Sequence, residues 1–340
     1  MTTLPSLTRV IDDAFTTTWY EIRKDAIDNI LDAVNITAAL REKGCFTPQS
    51  GGEIITRTIR HGTKSATGVA KGDVLSSGED DIETMANWDW RYTAAHIQRS
   101  LQDDQKNAGP SKIKDRVGVK LEAASDSIEQ KIETDFFRAF TSGEGGKNPH
   151  SFLDMVPLVA NQSTSTYGKI TRPSGYSSSA AGTVGKPNAG NSWWGPAYLR
   201  GTVPNHIHLL SDMKKLYNSV HNNQEPPDLI VSDQGLFEIY EDFALDASQI
   251  IKDDSTRLAD LGFEVLRFKG KPMIWSSNVT TDHMLFLTTK YIEVIYDPSF
   301  WFDMTEWKPV ELQFERIAHI IATWTLICTQ LRRQARLYYV

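Results

Sequence analysis

The chain has 340 residues, of which 40% are hydrophobic and 23% are charged, and its formal net charge is -7. Such values are typical of a globular protein, and the length suits two domains or one domain with large excursions. Acidic and basic residues are interspersed, which disfavours a sequence-specific reader of duplex DNA, because such readers usually carry a basic stripe. The two cysteines, Cys45 and Cys328, are too few for a disulfide framework and are expected to be reduced thiols.

Neither a signal peptide nor a membrane anchor is expected from the sequence. No basic region followed by an apolar core stands at the start of the chain. The most apolar run, Ile317–Cys328, is too short to cross a bilayer and contains His319. The sequence therefore predicts a soluble protein made inside a cell, without a membrane partner.

An amphipathic helix is predicted near the start of the chain. Thr18 and Glu21 fit a capping box, in which each side chain bonds the backbone amide of the other residue. Apolar residues recur at helical spacing from Trp19 and Ile22 onward, so the helix is expected to run to about Asn35. Its apolar stripe has to pack on a surface, either in its own domain or in another subunit.

A long two-stranded excursion is predicted next. Glu53–Arg60 is rich in β-branched residues, and 62–78 is a loop of Gly, Ser and Lys with almost no apolar content. Polar and apolar residues alternate over 87–94, which predicts a second strand. One face of that strand would carry Trp88, Trp90, Tyr92 and Ala94. An isolated ribbon is marginal in water, so these aromatic residues suggest packing on another subunit, a hypothesis that fails if the ribbon folds against its own core.

Two lysines near the predicted tip have two possible roles. Lys64 and Lys71 can act as nucleophiles for an amide bond between subunits, but that reaction needs a buried carboxylate and an asparagine acceptor. The sequence identifies neither group. Keeping the tip soluble is the favoured role, because exposed lysines usually do only that.

The strongest helix signal follows the turn at 107–110. Apolar residues recur every three or four positions from Ile113 to Phe140, and glycines from Gly143 onward end the pattern. A helix of about thirty residues is roughly 45 Å long. Heptads with paired charges do not persist, so the sequence predicts a single strut rather than a coiled coil.

The second half of the chain alternates between helices and strands and then becomes rich in strands. Residues 161–191 are rich in Ser, Thr and Gly and are predicted to form a surface excursion. Helices are predicted at His208–His221 and Gly235–Ala247, and strands at Asp228–Val231, Phe263–Phe268, Pro272–Trp275 and Met284–Thr288. The strands from residue 291 to the end are expected to pair with one another around the long helix. An α+β architecture with two domains follows.

Few catalytic patterns are present. His206 and His208 can bind zinc from one face of a strand, but no third ligand follows at a helpful spacing, so a surface pair or a pair at a helix start is favoured. Ser211 and Lys214 match S-x-x-K, part of a penicillin-binding signature whose other motifs are absent. There is no G-x-S-x-G, Walker loop or G-x-G-x-x-G. A hydrolase or zinc enzyme on 205–290 is therefore the less favoured alternative.

Four local phrases carry more information than these motifs. The first is TYGKITR at 166–172, followed by the pair 193–194, which reads WW. The second is DLIVSD at 228–233, with Tyr240 and Glu241 downstream. Each phrase is short, so its weight comes from its position relative to the others.

The other two phrases complete the order and point to a family. Residues 261–278 read LGFEVLRFKGKPMIWSSN, and the chain closes with WTLIC at 324–328 followed by RRQ at 332–334. These phrases, in this order and with the arm, ribbon and strut before them, resemble the major capsid proteins of tailed phages, which share the Johnson fold. The resemblance runs from about Thr16 to Leu337. Lys169 replaces the second glycine of the first phrase, and Trp324-Thr325 replaces Gly-Asn in the last.

The resemblance implies an α+β fold with an N-terminal arm, an extended β-loop, a long spine helix in a peripheral domain and an α/β axial domain. The implied segments are 1–48 (arm), 49–100 (extended loop), 101–149 (peripheral domain with the spine helix), 150–285 (axial domain) and 286–340 (return of the peripheral sheet). The residues implied to contact other subunits through the arm and the extended loop are Trp19, Ile22, Arg57, Arg60, Lys64, Lys71, Trp88, Trp90 and Tyr92.

The resemblance also implies a function without catalysis or cofactor. Such a protein assembles with itself into pentamers and hexamers of an icosahedral or prolate head that encloses double-stranded DNA without sequence specificity. Portal, scaffold and cement proteins are its expected partners, and the virion, assembled in the bacterial cytoplasm, is its expected location. An acidic net charge suits a shell that must not grip DNA tightly. An encapsulin-like compartment shell, which has the same fold, is the nearest alternative.

Overall fold

The computed structural model describes residues 35–62, 68–73, 81–100, 116–138, 147–158, 166–177, 180–221, 225–246, 266–311 and 314–339. Its helices are α1 (Asn35–Glu42), α2 (Arg116–Phe136), α3 (Phe152–Met155), α4 (His206–Val220) and α5 (Gln234–Asp246). Its strands are β1 (Phe46–Pro48), β2 (Ile54–Arg60), β3 (Glu83–Asp89), β4 (Arg91–Ser100), β5 (Thr166–Tyr167), β6 (Ile170–Thr171), β7 (Gly175–Tyr176), β8 (Val184–Gly185), β9 (Pro187–Ala189), β10 (Ala197–Arg200), β11 (Leu229–Ser232), β12 (Leu266–Phe268), β13 (Lys271–Trp275), β14 (His283–Leu287), β15 (Ile292–Met304), β16 (Lys308–Pro309), β17 (Glu315–Cys328) and β18 (Ala335–Tyr338).

A five-stranded sheet is built on two long antiparallel strands, β15 and β17. On the far side of β17, β4 pairs with it from Arg91 opposite Trp324 to Ser100 opposite Glu315. On the far side of β15, the short strand β1 pairs in parallel. The prediction that the strands near the end of the chain pair with one another is confirmed for β15, β16 and β17.

The helix α2 is the described part of the predicted strut. Its 21 residues span about 32 Å. It contacts β4 and buries one stripe, at the helical spacing seen in the sequence, made of Leu121, Ala124, Ile128, Ile132 and Phe136. These side chains belong to the larger of the two hydrophobic cores, here called the first core, which also contains the apolar side chains of β15 and β17.

A seven-stranded mixed sheet in the order β12-β13-β11-β14-β18-β10-β8 divides the first core from the second. In β11, Leu229 and Val231 point into the first core, whereas Ile230 points into the second. The second core lies under α4 and α5 and contains Met213 and Leu236 from these helices. Because both faces of this sheet are covered, its central strands are continuously apolar instead of alternating.

The sequence located the α/β elements to within two residues. The predicted helices at 208–221 and 235–247 are α4 and α5, and the predicted strand at 228–231 is β11. Asn205 caps α4 by accepting a hydrogen bond from the amide of His208 at 2.9 Å. The start of the strand predicted at 263–268 lies outside the described residues, and its end is β12.

Two predicted segment boundaries are wrong. β4 belongs to the five-stranded sheet, so the ribbon formed by β2 and β3 ends near Trp90 rather than at residue 100. β18 pairs with β14 and β10 in the seven-stranded sheet, so the segment 286–340 does not return to one sheet as a whole. In both places the pairing partner is distant in sequence, which local patterning does not reveal.

The hairpin of β12 and β13 turns through two residues with left-handed backbone, Lys269 at φ 51° and Gly270 at φ 75°. Two such residues form the turn that suits the twist of a tight hairpin, as predicted for Gly270. The amine of Lys269 donates to Asn218 Oδ1 at 2.6 Å and lies 4.7 Å from the centre of the Tyr217 ring. The corner is therefore attached to the end of α4.

Candidate assembly surfaces

The phrase TYGKITR forms a hairpin whose Tyr167 links three parts of the fold. The hydroxyl of Tyr167 accepts a hydrogen bond from the amide of Cys328 at 3.0 Å, at the end of β17. Its carbonyl accepts one from Trp194 Nε1 at 2.9 Å, and its ring meets Trp88 edge-on at 5.8 Å. We call Trp88, Tyr167, Gly168, Trp194 and Cys328 the aromatic junction. It fixes the base of the ribbon to the first core.

The turn in this hairpin contains Lys169, the residue that replaces the second glycine of the segment shared with the family. Gly168 and Lys169 both have positive φ, 58° and 60°. A side chain at Gly168 would place its Cβ 2.9 Å from Trp88 Cζ2, so this position requires glycine. Lys169 carries a side chain at the next position, and its amine reaches Asp89 Oδ1 of β3 at 3.2 Å. The lysine therefore makes a second link between the turn and the ribbon.

Beneath the junction, Arg172 is buried and holds the chain near α3. Its guanidinium lies 5.3 Å from the centre of the Tyr167 ring and donates to the carbonyl oxygens of Asp154 and Met155. Burial lowers the pKa of Arg172 to about 10. Asp154 also accepts from Arg138 Nη2 at 2.8 Å, which ties the end of α2 to the same place. These contacts are structural and contain no reacting group.

The structure corrects the predicted partner of the tryptophan face of the ribbon. Trp88 is 1% exposed and packs within its own chain, against Tyr167 and Gly168. Trp90 packs partly on the first core and donates from Nε1 to the carbonyl of Gly52 at 2.7 Å. The hypothesis that these tryptophans pack on another subunit is therefore wrong for Trp88, because the described part of the ribbon lies against its own core.

The predicted alternation also changes phase at Trp90. The sequence predicts that Trp88, Trp90, Tyr92 and Ala94 share one face, but β4 buries Thr93 and exposes Tyr92 and Ala94. Trp90 stands between β3 and β4, and the chain moves there from the ribbon to the five-stranded sheet. Tyr92 is 68% exposed and lines a groove between β4 and α2.

The charged residues predicted as contacts lie in different environments. Arg57 is half-buried and donates from Nε and Nη2 to Glu293 Oε2 at 3.1 and 2.9 Å, so its charge is paired within the chain. Arg60, at the end of β2, and Lys71, in a turn, are exposed. Three predicted contact residues lie outside the described residues: Trp19, Ile22 and Lys64. The same holds for the predicted helix at 18–35, except for its last residue.

The outer face of the ribbon carries residues that the sequence reasoning missed. Met85 of β3 is 65% exposed, and it is paired across the ribbon with Thr58. Ile54, on the same face, is also exposed. The alternation in ETMANWD over 83–89 places Met85 on the face opposite Trp88, and this is the signal in the sequence that indicates its exposure.

Among the described residues, no site is found for the alternative function, a zinc enzyme or hydrolase. His206 and His208 are exposed in the first turn of α4, and no group of three or more His, Cys, Asp or Glu that could hold a metal ion occurs in the described ranges. Burial raises the pKa of the thiols of Cys45 and Cys328 to about 12. Within the same ranges, no helix has the length and apolar content needed to cross a bilayer.

Comparison with known proteins identifies the fold. No family model and no curated protein sequence matches the chain. A chain of the capsid asymmetric unit of cyanophage A-1(L) is similar to it with a TM-score of 0.61 and 13% identity, over 86% of this chain and 90% of that chain. A chain from Mycobacterium phage Ogopogo has a TM-score of 0.51 and 10% identity, over 88% and 91% of the two chains. The encapsulin of the holo-SrpI complex from Synechococcus elongatus PCC 7942 has a TM-score of 0.52 and 9% identity, over 88% and 86%.

These similarities cover most of the chain and show that it has the fold of capsid and encapsulin shell proteins. The predicted α+β class and the resemblance to tailed-phage capsid proteins are thereby confirmed at the level of the fold. The similar proteins are structural components of shells rather than enzymes.

Proposed function

We propose that this protein is the major capsid protein of a tailed phage. It assembles with itself into pentamers and hexamers, which form the icosahedral or prolate head shell around double-stranded DNA. The observation that carries the proposal is the similarity to the cyanophage A-1(L) capsid chain, which extends over nearly the whole of both chains. The protein acts by its shape and has no catalytic role.

The contacts between copies are assigned to surfaces that the chain does not cover itself. A shell of many identical subunits needs heterologous contacts that close by symmetry. The outer face of the ribbon, with Ile54, Thr58 and Met85, supplies one such surface. Arg60, Lys64, Lys71, Trp90 and Tyr92, with the arm residues Trp19 and Ile22, are assigned to contacts between copies as the sequence predicted. Trp88 and Arg57 are not, because Trp88 is fully buried and the charge of Arg57 is paired with Glu293 within the chain.

The remaining partners follow from this function. A head of this kind needs a portal for DNA entry and a scaffold during assembly, and a cement protein can decorate it. The formal net charge of -7 favours loose, nonspecific contact with packaged DNA, since tight phosphate binding needs many clustered cations. Assembly takes place in the bacterial cytoplasm, and the mature protein resides in the virion.

An encapsulin-like shell is the second candidate. The similarity to the encapsulin chain covers 88% of this chain, against 86% for the cyanophage chain, but its TM-score of 0.52 is lower than the 0.61 of the cyanophage chain. An enzyme on 205–290 is disfavoured, because His206 and His208 lack a third ligand in the described part of the chain.

Electron microscopy and analytical ultracentrifugation of the full chain test the proposal. We expect pentamers, hexamers or closed shells, with no enzyme bound inside them. A protein that stays monomeric at all concentrations contradicts a shell function of either kind. Closed shells that co-purify with a stoichiometric enclosed enzyme favour the encapsulin alternative instead.

A further inference from the structure

A basic cavity lies apart from the surfaces described above. It has a volume of about 310 Å³ and opens between β9, the end of α4 and the turn that follows β17. Three segments distant in sequence contribute its polar walls, which are Lys186, Ser192, Ser219, Arg332 and Arg333. No carboxylate is among the lining residues. The fold therefore brings three cationic side chains together around one open space.

These cations are not neutralised by close partners. Within the described ranges, none of the side chains of Lys186, Arg332 and Arg333 forms an ion pair or a hydrogen bond. The Nε of Arg333 is buried and has no hydrogen-bond acceptor in the same ranges. A buried donor without an acceptor is unfavourable, and three like charges around one space repel each other. A bound anion relieves both penalties.

Two features nearby explain part of this arrangement. Ser219 and Val220 lie in the last turn of α4, whose carbonyl end attracts cations. Glu225 is within electrostatic reach of Arg333, but its carboxylate oxygens already accept from Lys290 and Tyr291. Neither feature fills the cavity or supplies an acceptor to the Nε of Arg333. An exogenous anion remains the simplest complement.

We infer that this cavity binds a phosphate group. The planar guanidinium groups of Arg332 and Arg333 match the oxygen spacing of a phosphate, and Lys186 adds a point charge. Ser192 has a hydroxyl that can donate to a phosphate oxygen, whereas the hydroxyl of Ser219 already donates to the carbonyl of Leu216 at 2.7 Å. Lys186 and Arg332 are exposed, so the cavity is accessible from solvent. The phosphate has two possible sources, free inorganic phosphate or the phosphodiester backbone of nucleic acid.

The proposal is independent of shell assembly, because phosphate can bind an unassembled chain as well as a particle. Isothermal titration of the full-length protein with inorganic phosphate, in a chloride buffer, measures it directly. The pocket variant is K186Q/R332Q/R333Q. The matched control, K214Q/K308Q/R200Q, removes the same number of charges at exposed positions that do not line the cavity.

We expect the wild type to bind phosphate saturably, with one site per chain. The pocket variant should bind about tenfold more weakly or not at all, while the control stays within about twofold of the wild type. A short double-stranded DNA fragment is then added as a competitor. Displacement of phosphate assigns the site to the nucleic acid backbone, and binding of phosphate without displacement assigns it to the free ion.

Three results overturn the inference. One is phosphate binding that the pocket variant retains in full, which places the site elsewhere. The second is an equal loss of binding in both variants, which shows a response to net charge alone. The third is no saturable binding by the wild type. A lower melting temperature of the pocket variant would then assign the cations to the end of α4.

Discussion

The seven-stranded sheet and the ribbon differ in how many of their faces are buried. Every residue of β11 and β14 is buried, because the first core covers one face of the sheet and the second core covers the other. The ribbon buries only its inner face, with Ile55 and Trp88, and leaves Met85 and Ile54 exposed on its outer face. The central strands of the sheet therefore bury their apolar side chains within one chain, whereas the ribbon buries only those on its inner face.

This difference assigns the two regions different tasks. A two-stranded ribbon is marginally stable by itself, so its conformation depends on the surface that it packs against. The aromatic junction holds its base in place through Trp88 and Tyr167. The outer face then exposes two apolar side chains, Ile54 and Met85, to solvent in the single chain. The inner face serves folding, and we propose that the outer face serves assembly.

The largest expected effect comes from removing the inner anchor. The substitution Trp88→Ala leaves a cavity beside Tyr167 and Gly168 and should lower the free energy of unfolding by about 3–5 kcal/mol. Thermal unfolding of the unassembled protein, followed by circular dichroism, measures the loss. A melting temperature equal to that of the wild type would show that Trp88 does not anchor the ribbon and would break the contrast between its two faces.

Acid should weaken the seven-stranded sheet at a histidine in β14. Burial, together with the nearby charge of Arg336, lowers the pKa of His283 to about 4. Its Nδ1 contacts the carbonyl of Thr281 at 2.6 Å, and its ring stacks on Tyr338 at 5.8 Å. The unfolded chain takes up a proton near pH 6.5, and the folded chain does so only near pH 4. The contribution of His283 is therefore complete above about pH 6.5 and is lost as the pH falls toward 4.

The loss attributable to His283 is about 3 kcal/mol or less at pH 4, from the size of the pKa change. Denaturant titrations between pH 7 and pH 4 measure it when the wild type is compared with His283→Gln. Both proteins lose stability as other groups titrate, but the wild type should lose more. Parallel pH profiles for the two proteins would show that the stability of this end of β14 is not sensitive to acid.

Substitutions at two hairpin glycines, which both have positive φ, distinguish the effect of steric crowding from that of backbone strain. Gly168 has a φ of 58° and approaches Trp88 closely, whereas Gly270 has a φ of 75° and nothing within 4 Å of the Cβ position. Gly168→Ala should therefore cost about 2–3 kcal/mol, and Gly270→Ala only the strain of about 1 kcal/mol. Thermal melting of both variants compares them. Equal losses of stability in the two variants would mean that Trp88 moves easily to make room for the added methyl group and that the aromatic junction is loosely packed.

The smallest effect on stability is expected on the outer face. Met85→Ser removes an exposed side chain and should change the free energy of unfolding by no more than about 0.5 kcal/mol. The same substitution should reduce the yield of assembled particles, measured by ultracentrifugation at equal protein concentration. Lys308→Ser, at an exposed position in β16, serves as the control. Wild-type assembly by the Met85 variant would remove this residue from the contact surface.

The sequence predicted the elements with strong periodicity and missed those that depend on distant partners. The stripe of α2 and the apolar run of β11 come from local spacing, so both were predictable. The phase change at Trp90 was not, because alternation continues across the point where the chain leaves the ribbon for another sheet. The role of Lys169 was equally hard to predict, because it depends on the left-handed backbone of the turn and on a contact with the distant residue Asp89.

The candidate site shows the same limit. The sequence predicts contacts between copies on the ribbon and points to its tryptophan face, because large aromatic residues usually mark interfaces. Trp88 instead fills a gap formed by Gly168, a residue 80 positions away. Only the folded chain shows which face of the ribbon is already occupied.

A cryo-electron microscopy map of assembled particles, at a resolution that shows side chains, tests the central claim most directly. The account predicts that Trp88 stays against Tyr167 of its own chain while a second copy covers Met85 on the outer face of the ribbon. The claim is contradicted if Met85 faces solvent in every copy, or if the ribbon leaves its own core and inserts Trp88 into a neighbour.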